Sequence, residues 1–228
     1  GSGRDGRITK ADVERALEER EPSPPSTVDA VAGVPMRGVR ARIAQRMHES
    51  HQTTAPVTLT TEVDATAFVA ARGRLKVELA DELGFNVGYN DLLIKIAARA
   101  LREFPYMNAR LEEPAEDSEA LIHHLDHVNV ALAVDTARGL LVPVVEDADH
   151  KGLKAIAQEL RELVGRARNG EALPDELSGS TFTITNLGMY EIDAFTPIIN
   201  LPEAAILGVG RIEERPAAVD GKLCVRHK

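Results

Sequence analysis

Residues 178–212, SGSTFTITNLGMYEIDAFTPIINLPEAAILGVGRI, decide how the rest of the chain is read. Phe182, Thr183, Ile184 and Thr185 form a β-branched and aromatic run, and residues 204–209 (AAILGV) form a second apolar run. Both read as short strands. Between them lies FTPIINLP (195–202), where Pro197 and Pro202 forbid a central strand although Phe195, Ile198, Ile199 and Leu201 are large and apolar. A monomer's loop would expose those four side chains, so residues 195–201 are expected at or near a subunit contact.

Working outward, the elements alternate. Residues 152–169 read as an amphipathic helix ending at Gly170, preceded by strands over 128–135 and 140–145 with Gly139 between them. Residues 89–104 form a strongly apolar helix that Asn90 is placed to cap. Asp64 and Thr66 can cap a helix running to about Leu83, and VTLTTEV (57–63) alternates as a strand should. Residues 39–50 have helical periodicity, with Val39, Ile43, Ala44 and Met47 on one side. Strands and helices alternate without an exact repeat, which gives an α/β or α+β class with a mixed sheet.

The amino-terminal stretch is different in kind. Thr9 caps a short helix at Lys10–Leu17, with Asp12 three residues on in capping-box style. Its single apolar stripe cannot be buried by a helix this short, so residues 1–20 read as the remnant of a small helical module. Residues 21–34 (EPSPPSTVDAVAGV) read as a proline-rich linker. The main domain is placed at 35–228.

Composition excludes several classes. Of 228 residues, 43% are hydrophobic and only 4% aromatic, with no tryptophan, so the core must be Val, Ile, Leu and Ala. Lys+Arg is 27 against Asp+Glu 36, a net charge of -9, which argues against a nucleic-acid partner. The single cysteine, Cys224, cannot form an internal disulfide. No apolar run approaches the ~20 residues of a membrane span. A soluble, acidic, cytoplasmic protein without membrane contact is expected, in a bacterial cytosol.

Several constellations imitate chemistry. His48 and His51 are at i and i+3, not the i, i+4 spacing of a helical zinc motif. His123, His124 and His127 form the densest histidine cluster, but no ligand set of known spacing lies beside them; the expected metal content is none, with metal binding there left open as the alternative. Gly208 and Gly210 follow a strand but open no helix, so a dinucleotide loop is not indicated. Cys224 near His227 has no orienting third group.

The quoted stretch resembles the catalytic domain of dihydrolipoamide acyltransferases, the core component of 2-oxo acid dehydrogenase complexes. The resemblance continues through VALAVDTARGLLVPVVEDAD (130–149), NDLLIKIAARALREFPYMNARL (90–111) and RGVRARIAQRM (37–47). GRDGRITKADVERAL (3–17) resembles the end of the family's peripheral subunit-binding domain. The resemblance implies an α/β, chloramphenicol-acetyltransferase-like fold: a mixed sheet with packed helices, assembled as homotrimers that build a larger core. It implies acyl transfer between coenzyme A and a lipoyl group carried on a separate lipoyl domain. It also implies 2-oxo acid dehydrogenase and dihydrolipoamide dehydrogenase as partner enzymes. Acetyl transfer of the pyruvate dehydrogenase type is expected; succinyl- or branched-chain-specific relatives and a non-catalytic scaffold are the alternatives.

Five residues inherit expectations from that resemblance. Thr185 matches the family's hydroxyl that donates to the oxyanion of the tetrahedral intermediate, though taken alone it reads as a β-branched strand residue. Asn186 is placed for the pantetheine amides, and Arg72 for the coenzyme or an acidic partner. Asp135 matches a coenzyme-contacting acid or else a turn residue. Gly210 allows close approach to ligand or shapes a turn. The family's general base sits in a His-Arg-x-x-Asp-Gly motif, and no such string occurs in residues 1–228. The carboxyl-terminal part of the domain is therefore expected to be missing and these residues alone to be inactive.

Overall fold

A computed structural model of the chain describes residues 1–18, 33–112 and 119–228. They fall into two compact units, residues 1–36 and 37–228. Most of the proline-rich stretch at 21–34 lies outside the described residues.

In the first unit, helix α1 (Lys10–Glu18) starts as its capping residues dictate. The Thr9 N–H and hydroxyl both donate to Asp12 Oδ2, at 2.8 and 2.9 Å, as does the Ser2 N–H at 2.8 Å. Those donors hold the Asp12 carboxyl well below the usual carboxylate range, hydrogen bonding from Ser2 being the largest cause. Ile8 and Val13 stay exposed in this unit.

The second unit is built on a four-stranded mixed sheet. Strands β3 (Val130–Leu132), β7 (Phe182–Asn186) and β8 (Ile206–Val209) run parallel, and β6 (Val144–Val145) pairs antiparallel with β3. The order is β6-β3-β7-β8. Helices α4 (Tyr89–Glu103) and α5 (Leu153–Asn169) supply Ile94, Ala98 and Leu101, and Ile156, Leu160 and Leu163, to one core with Val130, Leu132, Phe182 and Ile184. Helical spacing of those side chains is what lets each helix close over the sheet. Each fully buried Ile or Leu contributes on the order of 1.5–3 kcal/mol. Helix α5 ends at Gly170, whose φ of 77° is the left-handed conformation a helix C-cap requires.

A smaller cluster joins α3 (Thr66–Leu83) to this layer through Phe68, Leu75, Leu79 and Leu83 around Val87, Leu92 and Ala157. Helix α2 (Val39–Thr53) packs by polar contacts: Ser50 Oγ donates to Ile199 O at 2.6 Å and Arg46 Nη2 to Leu201 O at 2.8 Å. Three two-stranded ribbons complete the unit: β1 (Ala109–Glu112) with β2 (Leu121–His124), β4 (Val134–Thr136) with β5 (Gly139–Leu141), and β9 (Glu214–Val219) with β10 (Lys222–His227).

Several expectations are corrected. The strands expected over 128–135 and 140–145 are each broken in two, because the chain leaves the central sheet at Ala133 and turns again at Pro143. Asn90 does not cap α4. Gly88 is the cap, its N–H donating to Asp91 Oδ2 at 2.7 Å, and Asn90 is turned to another partner. Residues 57–63 form no strand, although they alternate as one. Val57 is 84% and Leu59 91% exposed, since no strand among the described residues lies beside them to complete the backbone hydrogen bonds. The string 195–201 is less open than its composition implies: Phe195 packs over Gly208, Ile199 lies against α2, and of its four large apolar residues only Ile198, at 43%, is exposed.

Candidate active site at the carboxyl ends of the parallel strands

In an open sheet with parallel strands, the strand carboxyl ends leave a crevice that side chains from several strands can share. Four of the five candidate residues sit at or just beyond those ends. Thr185 and Asn186 close β7, Gly210 follows β8, and Asp135 lies three residues beyond β3. Their placement follows from register: Thr185 is opposite Gly208, Asn186 is opposite Val209, and the Leu187 N–H donates to Val209 O at 3.0 Å.

Strand alternation sends Phe182 and Ile184 into the helix-covered core and Thr183 and Thr185 to the other face. Thr183 is buried and Thr185 half-buried. The Thr185 hydroxyl makes no side-chain hydrogen bond with the described residues. Asn186 is held from both ends: its Nδ2 donates to Asn90 Oδ1 at 2.8 Å, and its Oδ1 accepts the Gly188 N–H at 2.9 Å.

Asn186 is thereby joined to the start of α4, and through it to Arg72. The Arg72 Nε donates to Val87 O at 3.1 Å, and its guanidinium lies 5.3 Å from the Tyr89 ring, which in turn packs on Phe68. A half-buried guanidinium held by one hydrogen bond and one aromatic face keeps donors for an anionic partner. Arg72 is thus no solvated helix charge.

Asp135 and Gly210 are placed otherwise. Asp135 is exposed on β4, opposite Leu140, and the structure gives it no side-chain bond to the other four residues. Gly210 makes a close approach, but to its own chain: a Cβ there would lie 2.1 Å from Asp193 O. Packing within the chain is sufficient reason for glycine at 210.

The sequence reading missed a polar group at the opposite end of β7. Glu203, only 4% exposed, accepts on Oε1 from the Ser180 and Thr183 hydroxyls and from Asn200 Nδ2, the latter two at 2.8 and 3.0 Å. Burial pushes its carboxyl up, the hydrogen bonds and the nearby Arg110 guanidinium opposing. A lone acid in an apolar string carried no signal of this; only the fold brings the three donors to it.

The histidine cluster is remote from Thr185. His123 and His124 lie on β2, and His127 precedes β3, so they border the amino ends of the parallel strands. With Arg110, Glu112 and Pro202 they line an open cavity of about 590 Å³. His123 Nε2 contacts Glu112 Oε2 there. Among the described residues, no three His, Cys, Asp or Glu side chains are placed to share a metal ion, and no helix is long and apolar enough to cross a membrane.

Comparison with known proteins agrees with this geometry. Residues 29–228 match the family model of the 2-oxoacid dehydrogenases acyltransferase catalytic domain. The chain is 36% identical to the succinyltransferase component of the 2-oxoglutarate dehydrogenase complex of Rickettsia bellii, over 99% of this chain and 57% of that protein. It is 37% identical to the acetyltransferase component of the pyruvate dehydrogenase complex of Staphylococcus aureus, over 98% of this chain and 56% of that protein. It thus spans little more than half the length of these curated relatives. A solved structure of Azotobacter vinelandii dihydrolipoamide acetyltransferase, from work on a serine, a histidine and an asparagine in its catalytic mechanism, superposes with a TM-score of 0.80. That match has 34% identity and covers 91% of this chain and 84% of the other. The mixed sheet with its packed helices is the architecture of these acyltransferase cores, and the chain belongs to the 2-oxoacid dehydrogenase acyltransferase catalytic-domain family.

Proposed function

We propose that this chain carries acetyl transfer between the dihydrolipoamide of a lipoyl domain and coenzyme A, as the core of a pyruvate dehydrogenase-type complex. The observation that carries the reading is the pairing of an uncommitted Thr185 hydroxyl with a fixed Asn186 at the carboxyl end of β7. In the transfer, an attacking thiol loses its proton to a general base as its sulfur bonds the thioester carbonyl carbon. The carbonyl oxygen becomes an oxyanion that the Thr185 hydroxyl stabilises. Collapse of the intermediate breaks the other carbon–sulfur bond, and the departing thiolate takes up the proton. One such donor is worth ~3 kcal/mol of transition-state stabilisation. Asn186, Arg72 and Asp135 are proposed to hold the coenzyme. Gly210 shapes the backbone beside them.

The acyl choice is tested by comparing acetyl-CoA with succinyl-CoA as donors to dihydrolipoamide. A kcat/KM for acetyl at least about tenfold higher supports the reading. A preference for succinyl reassigns the chain to the 2-oxoglutarate type, and no transfer from either by a protein that also carries a His-Arg-x-x-Asp-Gly string leaves a structural core.

Self-association is part of the proposal. Residues 57–63 have the alternation of a strand, and Val57, Leu59 and Val63 are all exposed, which a second copy of the chain would cover. A homotrimer that builds a larger core is expected, with the lipoyl domain, a 2-oxo acid dehydrogenase and dihydrolipoamide dehydrogenase as partners in a bacterial cytosol. Light scattering at micromolar concentration is the check; a stable, folded monomer defeats the assembly proposal.

A further inference from the structure

We infer that Glu203 is a positioning residue for acyl transfer: it locks the strand face that carries Thr185, and the inference rests on the role proposed for that threonine. Glu203 stands three residues before β8, and its hydrogen-bonding partners stand on or beside β7. One oxygen, Oε1, gathers the hydroxyls of Ser180 and Thr183 and the amide of Asn200. Asn200 Nδ2 also donates to Thr183 Oγ1 at 3.2 Å, so the segment entering β8 grips β7 twice at the same residue.

The grip acts on register. Thr183 is opposite Ile206 and Thr185 opposite Gly208 in the same parallel pair. A slip of one residue would turn Ile184 to the polar face and send both hydroxyls into the helix-covered core. Apolar packing of Phe182 and Ile184 specifies one face, and Glu203 specifies the other by requiring a hydroxyl at 183. Thr185, two residues on, inherits that direction.

The connection is economical in charge. Glu203 Oε2 is buried with no hydrogen-bond partner, and the Arg110 Nε near it is likewise buried and unpartnered. A carboxyl kept for structure alone would be replaceable by a well-packed apolar group. Its geometry instead converges on one strand residue, two positions from the proposed oxyanion donor.

The test is a double-mutant cycle in the complete protein, with acetyl-CoA and dihydrolipoamide as substrates and kcat expressed per folded site. Glu203→Leu is expected to lower kcat about tenfold with KM for both substrates within about twofold, since sub-ångström misplacement of a reacting group has effects of this order. Glu203→Gln, which keeps an oxygen acceptor of the same shape, is expected to restore kcat to within about twofold. In a Thr185→Val background, Glu203→Leu should add less than about a twofold further loss, because it acts through that hydroxyl. Should Glu203→Leu fail to fold, Thr183→Val severs the same link from the strand side and is expected to give the same sign and the same lack of additivity. Wild-type kcat in either variant, or a loss that multiplies with that of Thr185→Val, overturns the inference and leaves Thr185 in place. Full kcat in Thr185→Val alone removes the oxyanion role and the inference together.

Discussion

Thr183 and Thr185 are the same residue type, two positions apart on one face of one strand, yet they stand in opposite conditions. The Thr183 hydroxyl donates to Glu203 and accepts from Asn200, and its side chain is sealed. The Thr185 hydroxyl is half-open and uncommitted within the described residues. A hydroxyl whose bonds are complete in the folded chain acts only through the structure it holds in place. One whose donor is vacant and whose backbone is fixed can act on charge that develops later, without reorganising first. The amino end of β7 holds its polar groups for the fold, and the carboxyl end is proposed to keep the Thr185 hydroxyl for a ligand.

The largest expected effect tests whether the carboxyl end is complete in itself. Residues 1–228 contain no His-Arg-x-x-Asp-Gly string, so a polypeptide of these residues alone should transfer acetyl groups about 10²–10⁴-fold more slowly than one that carries such a string. Near-normal turnover would break the comparison, for the base would then be among the histidines present, with the amino-end cluster at 123–127 the first to examine. Next comes Thr185 itself. In the complete protein, Thr185→Val should lower kcat roughly 10²-fold with KM nearly unchanged, and Thr185→Ser should keep most activity.

The same substitution at the other threonine should read out in stability as well as in the smaller kcat loss expected above. Thr183→Val leaves a buried carboxyl with one donor fewer and should cost about 1–3 kcal/mol, seen as a lower denaturation midpoint at fixed protein concentration. A valine at 183 that left the midpoint unchanged would show that the amino-end network contributes nothing to folding.

The smallest effect is a pH dependence. Because burial raises the Glu203 carboxyl above its ordinary value, the unfolded chain ionises it first as pH rises. Its stabilising contribution is full below the ordinary glutamate range, ~4.3, and is lost as pH climbs through the folded value. Glu203→Gln cannot ionise, so the Tm of the wild type should fall relative to that of the variant as pH rises above the ordinary glutamate range. A constant difference would place Glu203 at the ordinary carboxylate value. Asp91, also raised by burial, leaves the wild type and the variant a shared residual slope.

Periodicity and capping made most of the second unit legible. Helices α2 to α5 and strands β7 and β8 appear within a few residues of their expected places, because each carries its own local signal. The ribbon of β9 and β10 had a signal that went unread: Asp220 and Gly221 both have positive φ, 50° and 73°, the turn an Asp-Gly pair favours between two strands. Residues 57–63 were legible as a strand and are not one, since alternation reports a preference and pairing needs a neighbour. The candidate site divided similarly. Thr185 and Asn186 lie in a recognisable string, whereas the Asn90 contact to Asn186 and the Glu203 network join residues 96 and 20 positions apart, and no local pattern encodes them.

The crowding around Gly210 bears on how sequence variation in this family should be interpreted. A methyl group at 210 would meet the carbonyl oxygen of Asp193, and one at 188 would come within 2.6 Å of the carbonyl oxygen of Gly210. Two glycines therefore interleave three backbone segments beside the proposed site. In a saturation-mutagenesis library every substitution at either position would be lost, and the intolerance would map next to Thr185 like a catalytic signature. It would mark steric exclusion of side chains from a backbone stack, and a survey that ranks positions by intolerance would place two residues without chemistry beside the threonine proposed to have it.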